Sequence, residues 1–246
     1  MHMKNHIATL LLTLISFTIS AQEFKDSYKT LDISLTGNSS VVAPAFSFTQ
    51  MYGIGKSKRF KLGYGIRLTS FFKHNLEART APAKFTSGSS SFGALFADDI
   101  VSNIDTLYLP KAQVNSLNVS LNLQYALSKK LEIGFNIDAT GYSFGANQTG
   151  ELISKKNKRK FADGSTTSSA TPAGLNLLLV SDSDLGNLNS EVYARYWVTE
   201  KIGLRAGTSF QFTEYTTDKK VTLPDGQNNR WRYKSLTPMI AVSYRF

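Results

Sequence analysis

The sequence predicts an all-β chain: an antiparallel up-and-down transmembrane β-barrel of eight strands. Three observations carry that reading. Eight runs alternate apolar with polar side chains, each near the length of about 10 residues with which a tilted strand crosses a bilayer. The connections between the runs alternate between tight and longer. The apolar stretch near the start is too short for a spanning helix, and no later segment is long and apolar enough to be one.

The runs follow in order. Leu31, Ile33 and Leu35 alternate with Asp32, Ser34 and Thr36. Phe46, Phe48, Tyr52 and Ile54 form the second series, which Gln50 interrupts. Phe60 to Leu68 alternates with Lys61, Gly63, Gly65, Arg67 and Thr69. The cleanest run is Leu117 to Leu127, set against Asn118, Ser120, Asn122, Gln124 and Ala126. Leu131, Ile133, Phe135 and Ile137 alternate with Glu132, Gly134, Asn136 and Asp138. Val192 to Val198 follows, then Ile202 to Phe212. The last run is Leu236, Pro238, Ile240, Val242, Tyr244 and Phe246, with Arg245, Ser243 and Ala241 between. Period 2 puts the two sets on opposite faces of a strand.

Three connections are tight: residues 55–59, 128–130 and 199–201. Two are long, near 77–113 and 146–187, one of intermediate length spans 218–230, and the first, near 37–41, is brief. With both termini inside, every tight turn falls on one side of the membrane. A soluble β-sandwich or lipocalin-like barrel would also alternate. Two features favour lipid. The polar face is rich in Gly, Ser, Asn and Thr, which suits a narrow lumen better than a wet surface. Tyr52, Phe60, Tyr125, Tyr196, Tyr244 and Phe246 gather at the tight-turn ends of the apolar face, as an interfacial girdle does.

Lys4, the apolar run Ile7–Ile19 and the small residues Ser20-Ala21 form the pattern of a secretory signal peptide. Residues 1–21 are therefore expected to be a signal and residues 22–246 the barrel domain. There is no cysteine, which excludes disulfides, thiol catalysis and thiolate metal sites. The formal charge is +10. In an exported chain this points to anionic lipid headgroups rather than to nucleic acid.

The terminal strand, with Phe246 last and Tyr244 two before it, resembles the C-terminal signature of bacterial outer-membrane β-barrels. That resemblance implies that Tyr244 and Phe246 present an assembly signal to the barrel-assembly machinery. Strand count and loop alternation are similar to the small eight-stranded barrels of the OmpA/OmpX type, without the peptidoglycan-binding domain. It implies the outer membrane of a Gram-negative bacterium, and outer-membrane lipid, lipopolysaccharide and an envelope or surface protein as partners. The expected role is non-enzymatic: display of external loops for envelope integrity, adhesion or partner docking. A narrow porin-like channel is the first alternative.

Chemistry-bearing motifs are few. His74 is the one histidine beyond the signal, and a lipid-active barrel enzyme around it is the second alternative. Its same-face neighbours would be Phe72 and Leu76, and Ser70 lies too far along the strand for a direct bond. Gly55-Lys56-Ser57 lacks the first glycine of a phosphate loop. Asp98-Asp99 and Asp182–Asp184 lack further oxygen ligands at a recognisable spacing, so no metal, cofactor or catalytic site is expected. The run Lys155, Lys156, Lys158, Arg159 and Lys160 lies mid-loop, either as a solvated tip or as a contact for lipopolysaccharide phosphates or an acidic partner. The inward faces carry Asp32, Lys61, Arg67, Glu132, Asp138, Glu191, Arg195, Arg205 and Arg245. Eight strands leave a lumen just wide enough for side chains, so a network of Arg67, Glu132, Asp138, Glu191, Arg195, Arg205 and Arg245 is expected to plug it.

Overall fold

The computed structural model describes residues 24–88, 98–179 and 184–246; the expected signal, with Asp182, lies outside them. The strands are β1 (Ser27–Gly37), β2 (Val41–Ile54), β3 (Phe60–Ala81), β4 (Thr106–Ala126), β5 (Leu131–Phe144) and β6 (Gln148–Ile153). They continue with β7 (Thr167–Pro172), β8 (Leu175–Leu177), β9 (Asn189–Trp197), β10 (Ile202–Leu223) and β11 (Gly226–Arg245). All pair antiparallel.

Eight strands close a ring: β1–β2–β3–β4–β5–β9–β10–β11, with β11 returning to β1 through Leu31↔Tyr244 and Ile33↔Val242. Closure leaves no sheet edge, the condition for strands in lipid. Apolar side chains face outward from this ring: Ile33, Leu236 and Ile240 are each more than 60% exposed. The aromatics Tyr52, Phe60, Tyr125, Tyr196, Tyr244 and Phe246 are exposed on the same face. Tyr52 lies 6.4 Å from Tyr64, and Tyr244 stacks on Phe246 at 6.1 Å. Most inward positions are polar and buried, with two small apolar clusters among them, Tyr28–Met51–Trp197 and Tyr193–Met239–Ala241. This is a transmembrane β-barrel of the outer-membrane type.

The expectation of eight strands needs correction, because the chain forms eleven. The three extra strands, β6, β7 and β8, come from the segment expected to be one long loop. The outer connections are shorter than expected for the same reason. β3, β4, β10 and β11 run for 22, 21, 22 and 20 residues, about twice what a bilayer requires. The connection expected near 218–230 shrinks to the turn between Leu223 and Gly226.

Above the membrane the long strands build a second closed ring, β3–β4–β6–β7–β10–β11 and back to β3 through Trp231↔Thr80. The β1–β2 hairpin ends at Gly37–Val41, so β11 meets β3 directly over its tip. The interior of this upper ring is apolar: Phe71, Leu76, Leu107, Leu109, Tyr215 and Trp231 are buried together. Phe85, from a helical turn at Ala83–Thr86, packs into the same core.

The side-chain phase must therefore change along a strand. In β3 the inward positions are odd up to Phe71 and even from Leu76. The switch lies at Asn75, whose φ is 51°, an uncommon left-handed conformation. Directly opposite is Pro110, which has no N–H to offer the ladder; the flanking pairs are His74↔Lys111 and Leu76↔Leu109. β4 changes phase at the same level, from Leu107 and Leu109 to Ala112 and Val114. Simple alternation through His74 cannot anticipate this, so Leu76 is buried inside while Phe72 is exposed, rather than sharing a face with it.

The upper core predicts a separable response. Replacing Trp231 by Ala should cost about 3–5 kcal/mol. Limited proteolysis should then cut the residues above the membrane sooner, while the heat-modifiable gel shift of the lower ring persists. Loss of both together would show that the two rings unfold as one.

Candidate functional site

The inward charges of the lower ring form one unbranched chain of alternating sign. Lys61 meets Glu132 at 3.3 Å, and Glu132 meets Arg195 at 3.6 Å. Arg195 meets Asp32 at 3.2 Å, and Asp32 meets Arg205 at 3.4 Å. Arg205 meets Glu191 at 2.6 Å, Glu191 meets Arg67 at 3.1 Å, and Arg67 meets Asp138 at 2.5 Å. All eight side chains are at most 4% exposed. Each interior member has two partners of opposite sign, which offsets the several kcal/mol that desolvating an ion costs.

Local register explains the order. Arg195 and Arg205 are directly opposed on β9 and β10, an arrangement that is repulsive by itself. Asp32 reaches them from β1, on the far side of β11, and takes both. Ser243 donates its hydroxyl to the same carboxylate. At one end of the chain Lys61 lies over the Tyr28 ring at 4.8 Å. At the other, Asp138 accepts from Asn118 Nδ2 at 2.8 Å and from the Asn189 amide at 3.0 Å. Tyr193 fills the space beside the charges, with Arg205 over its ring at 4.0 Å. Gly134 makes that possible, since a Cβ there would lie 2.4 Å from Tyr193 Cζ.

Six of the seven residues expected in the network are in it, and Arg245 is not. Two positions along β11 from Ser243, it lies at the mouth, where its Nε donates to the Glu200 carbonyl at 2.9 Å and its guanidinium covers Trp197 at 4.1 Å. Asp32 and Lys61, recognised only as inward-facing, are an interior link and an end of the chain. Sequence reasoning missed the asparagines. Asn176 Nδ2 donates to Asn118 Oδ1 at 2.7 Å, and the Asn187 amide donates to Asn176 Oδ1 at 2.8 Å, tying the segment after β7 to the wall. Asn118 carried the polar-face signal of its run; Asn176 and Asn187 lay in an expected loop. Also missed is a second cluster, in which Glu214 meets Arg230 at 2.7 Å and Arg232 at 2.8 Å.

The basic run occupies the connection from β6 to β7. Lys155, Lys156, Lys158 and Lys160 are exposed, while Arg159 pairs with Asp105 at 3.0 Å. Phe161, next in sequence, is buried in the upper core and bridges Val221. The run is thus pinned at its end rather than carried as a free tip. Nearby, Lys219 at 2.7 Å and the Ser165 hydroxyl hold the Asp163 carboxyl well below the ordinary carboxylate range. His74 is exposed and paired across the ladder with Lys111. Asp99 is taken by Arg79 at 2.9 Å. Among the described residues no group of His, Cys, Asp and Glu is arranged to hold a metal ion.

No protein-family model matches the chain, and no curated protein matches it. Among solved structures it is similar to Neisserial surface protein A, with 12% identity over 90% of this chain and 98% of that one, at a TM-score of 0.39. It is similar to the outer membrane protein OprG of Pseudomonas aeruginosa, with 9% identity, 92% and 98% coverage and a TM-score of 0.38. The Yersinia pestis outer membrane protein Ail gives 10% identity, 89% and 99% coverage and a TM-score of 0.34. This chain is an outer-membrane-type β-barrel, and its own pairings and lipid-facing belt carry that conclusion.

The charge chain makes a direct prediction. Asp32→Ala removes the one carboxylate between Arg195 and Arg205 and should cost about 3–5 kcal/mol. Glu191→Ala should cost a similar amount. Asp218→Ala, on an exposed site, should stay within about 0.5 kcal/mol. Urea-unfolding midpoints in detergent micelles would measure all three; equal midpoints would refute the chain as a structural element.

Proposed function

We propose that the protein is a non-enzymatic display barrel: a closed stem in the outer membrane that holds a folded β-head outside, where the head docks a partner or an envelope surface. The observation that carries this reading is the stacking of two plugs on one axis. The charge chain fills the lower ring, and the apolar core around Trp231, Tyr215 and Phe71 lies over it. An ion path would have to cross a salt-bridged layer and then a dry one, and both are expensive to open. The exposed Lys155, Lys156, Lys158 and Lys160 on the head support contact with lipopolysaccharide phosphates or an acidic surface protein. Among the described residues His74, opposed by Lys111, has no hydrogen bond to the nucleophile or oriented carboxylate that base catalysis requires.

Planar-bilayer recording is the deciding experiment. The folded protein should give no steady open-state current; a large, stable conductance would replace the display reading with the channel reading. Sidedness can be read on intact cells with single cysteines. Asn157→Cys should react with an impermeant maleimide, whereas Lys129→Cys should react only after the envelope is opened. The reverse pattern would invert the assignment of head to the outside.

A further inference from the structure

The mouth of the lower ring that carries the tight turns holds a cup of about 490 Å³. Lys25, Lys129, Lys130 and Arg245 line it, against a single carboxylate outside the charge chain among the described residues, Glu200. Lys61 and Glu132, the terminal pair of that chain, also line the cup and neutralise one another. Among the described residues the three lysines have no ion-pair partner. Arg245 is held from two directions, by the Glu200 carbonyl at Nε and by the Trp197 ring beneath its plane. Among the described residues neither contact engages its Nη groups in a hydrogen bond or ion pair. Trp197 is 1% exposed, lines the same cup, and has an indole N–H with no acceptor.

We propose that this cup binds a phosphate-class oxyanion. Three lysines and Arg245 against Glu200 leave an excess of three positive charges. A carboxylate would offset one of them. A phosphate group offers about −1.5 to −2 charge and three acceptor oxygens, which suits a fixed guanidinium fork flanked by mobile ammonium groups. The cup is blind, because the charge chain closes its inner end. It therefore acts as a receptor and not as an entrance. The same chemistry has two sources: a soluble phosphate compound, or a lipid headgroup that ends in a phosphomonoester, such as phosphatidic acid, in the leaflet on which the mouth opens.

Two measurements on the folded full-length protein distinguish them. Isothermal titration calorimetry in a zwitterionic detergent uses inorganic phosphate, with acetate at equal ionic strength as the control. Fluorescence of Trp197, read in a Trp231→Phe background, compares phosphatidylcholine vesicles with and without phosphatidic acid. Saturable heat with inorganic phosphate assigns the soluble source. A Trp197 shift confined to phosphatidic acid vesicles assigns the headgroup. In either case the paired substitution Lys129→Ala and Lys130→Ala, on an exposed turn, should weaken binding at least fivefold, and so should Arg245→Gln. The proposal is overturned if acetate matches phosphate, if neither probe responds, or if both variants bind as well as the parent.

Discussion

Asp32 between Arg195 and Arg205 is the contact on which the lower ring depends. The register that closes β9 on β10 sets two guanidinium groups face to face in a space with little room for water. Neither can turn outward, because one face of every strand meets lipid and the other the lumen. Glu132 and Glu191 each take one of the two, and the carboxylate that takes both comes from β1 once the last strand has returned to the first. Ring closure and charge neutralisation are therefore one event. A register slip of one residue would send Asp32 into lipid and leave Arg195 with Glu132 alone and Arg205 with Glu191 alone, with no carboxylate between the two opposed guanidinium groups, so the ion chain selects the register as well as filling the lumen.

The two rings obey opposite rules because they stand in different solvents. In lipid the outside must be apolar, and the inside can be polar if every group finds a partner. In water the outside is polar and the core apolar. β3 and β4 cross that boundary in unchanged register, skipping only the Asn75–Pro110 position, where they change phase together. A one-residue irregularity in a single strand would shift its register. Two opposed irregularities leave the register intact and reverse both faces.

This explains what was legible in the sequence. Below the switch, strict period 2 made the barrel strands, their lipid faces and the inward charges readable from Leu117 to Leu127 or from Leu131 to Ile137. Above it the same reading failed. The phase change broke the alternation at Leu76, and the short strands β6, β7 and β8 carry too few residues to show a period. The partners within the charge chain were equally hidden. Alternation gives the face on which Asp32 and Arg195 lie, but their meeting depends on strand tilt and depth across the lumen, which no local pattern records. The asparagine cluster depends on Asn176 and Asn187, brought back by a segment whose course only the closed ring determines.

The shared strands also decide what kind of surface the head presents. β3, β4, β10 and β11 pass from stem to head as continuous ladders, so the head cannot swing as a domain on a linker would. Phe161 and Phe85 fasten its two longest connections into the apolar core. Loops free to move lose conformational entropy when they bind, about 0.5–1.5 kcal/mol for each immobilised side chain of many rotamers. A head fixed by four membrane-anchored strands has lost most of that freedom during folding. On the proposed display role its lysines would meet a partner at set heights above the membrane plane, and recognition would rest on the matching of charge positions rather than on loop adaptation.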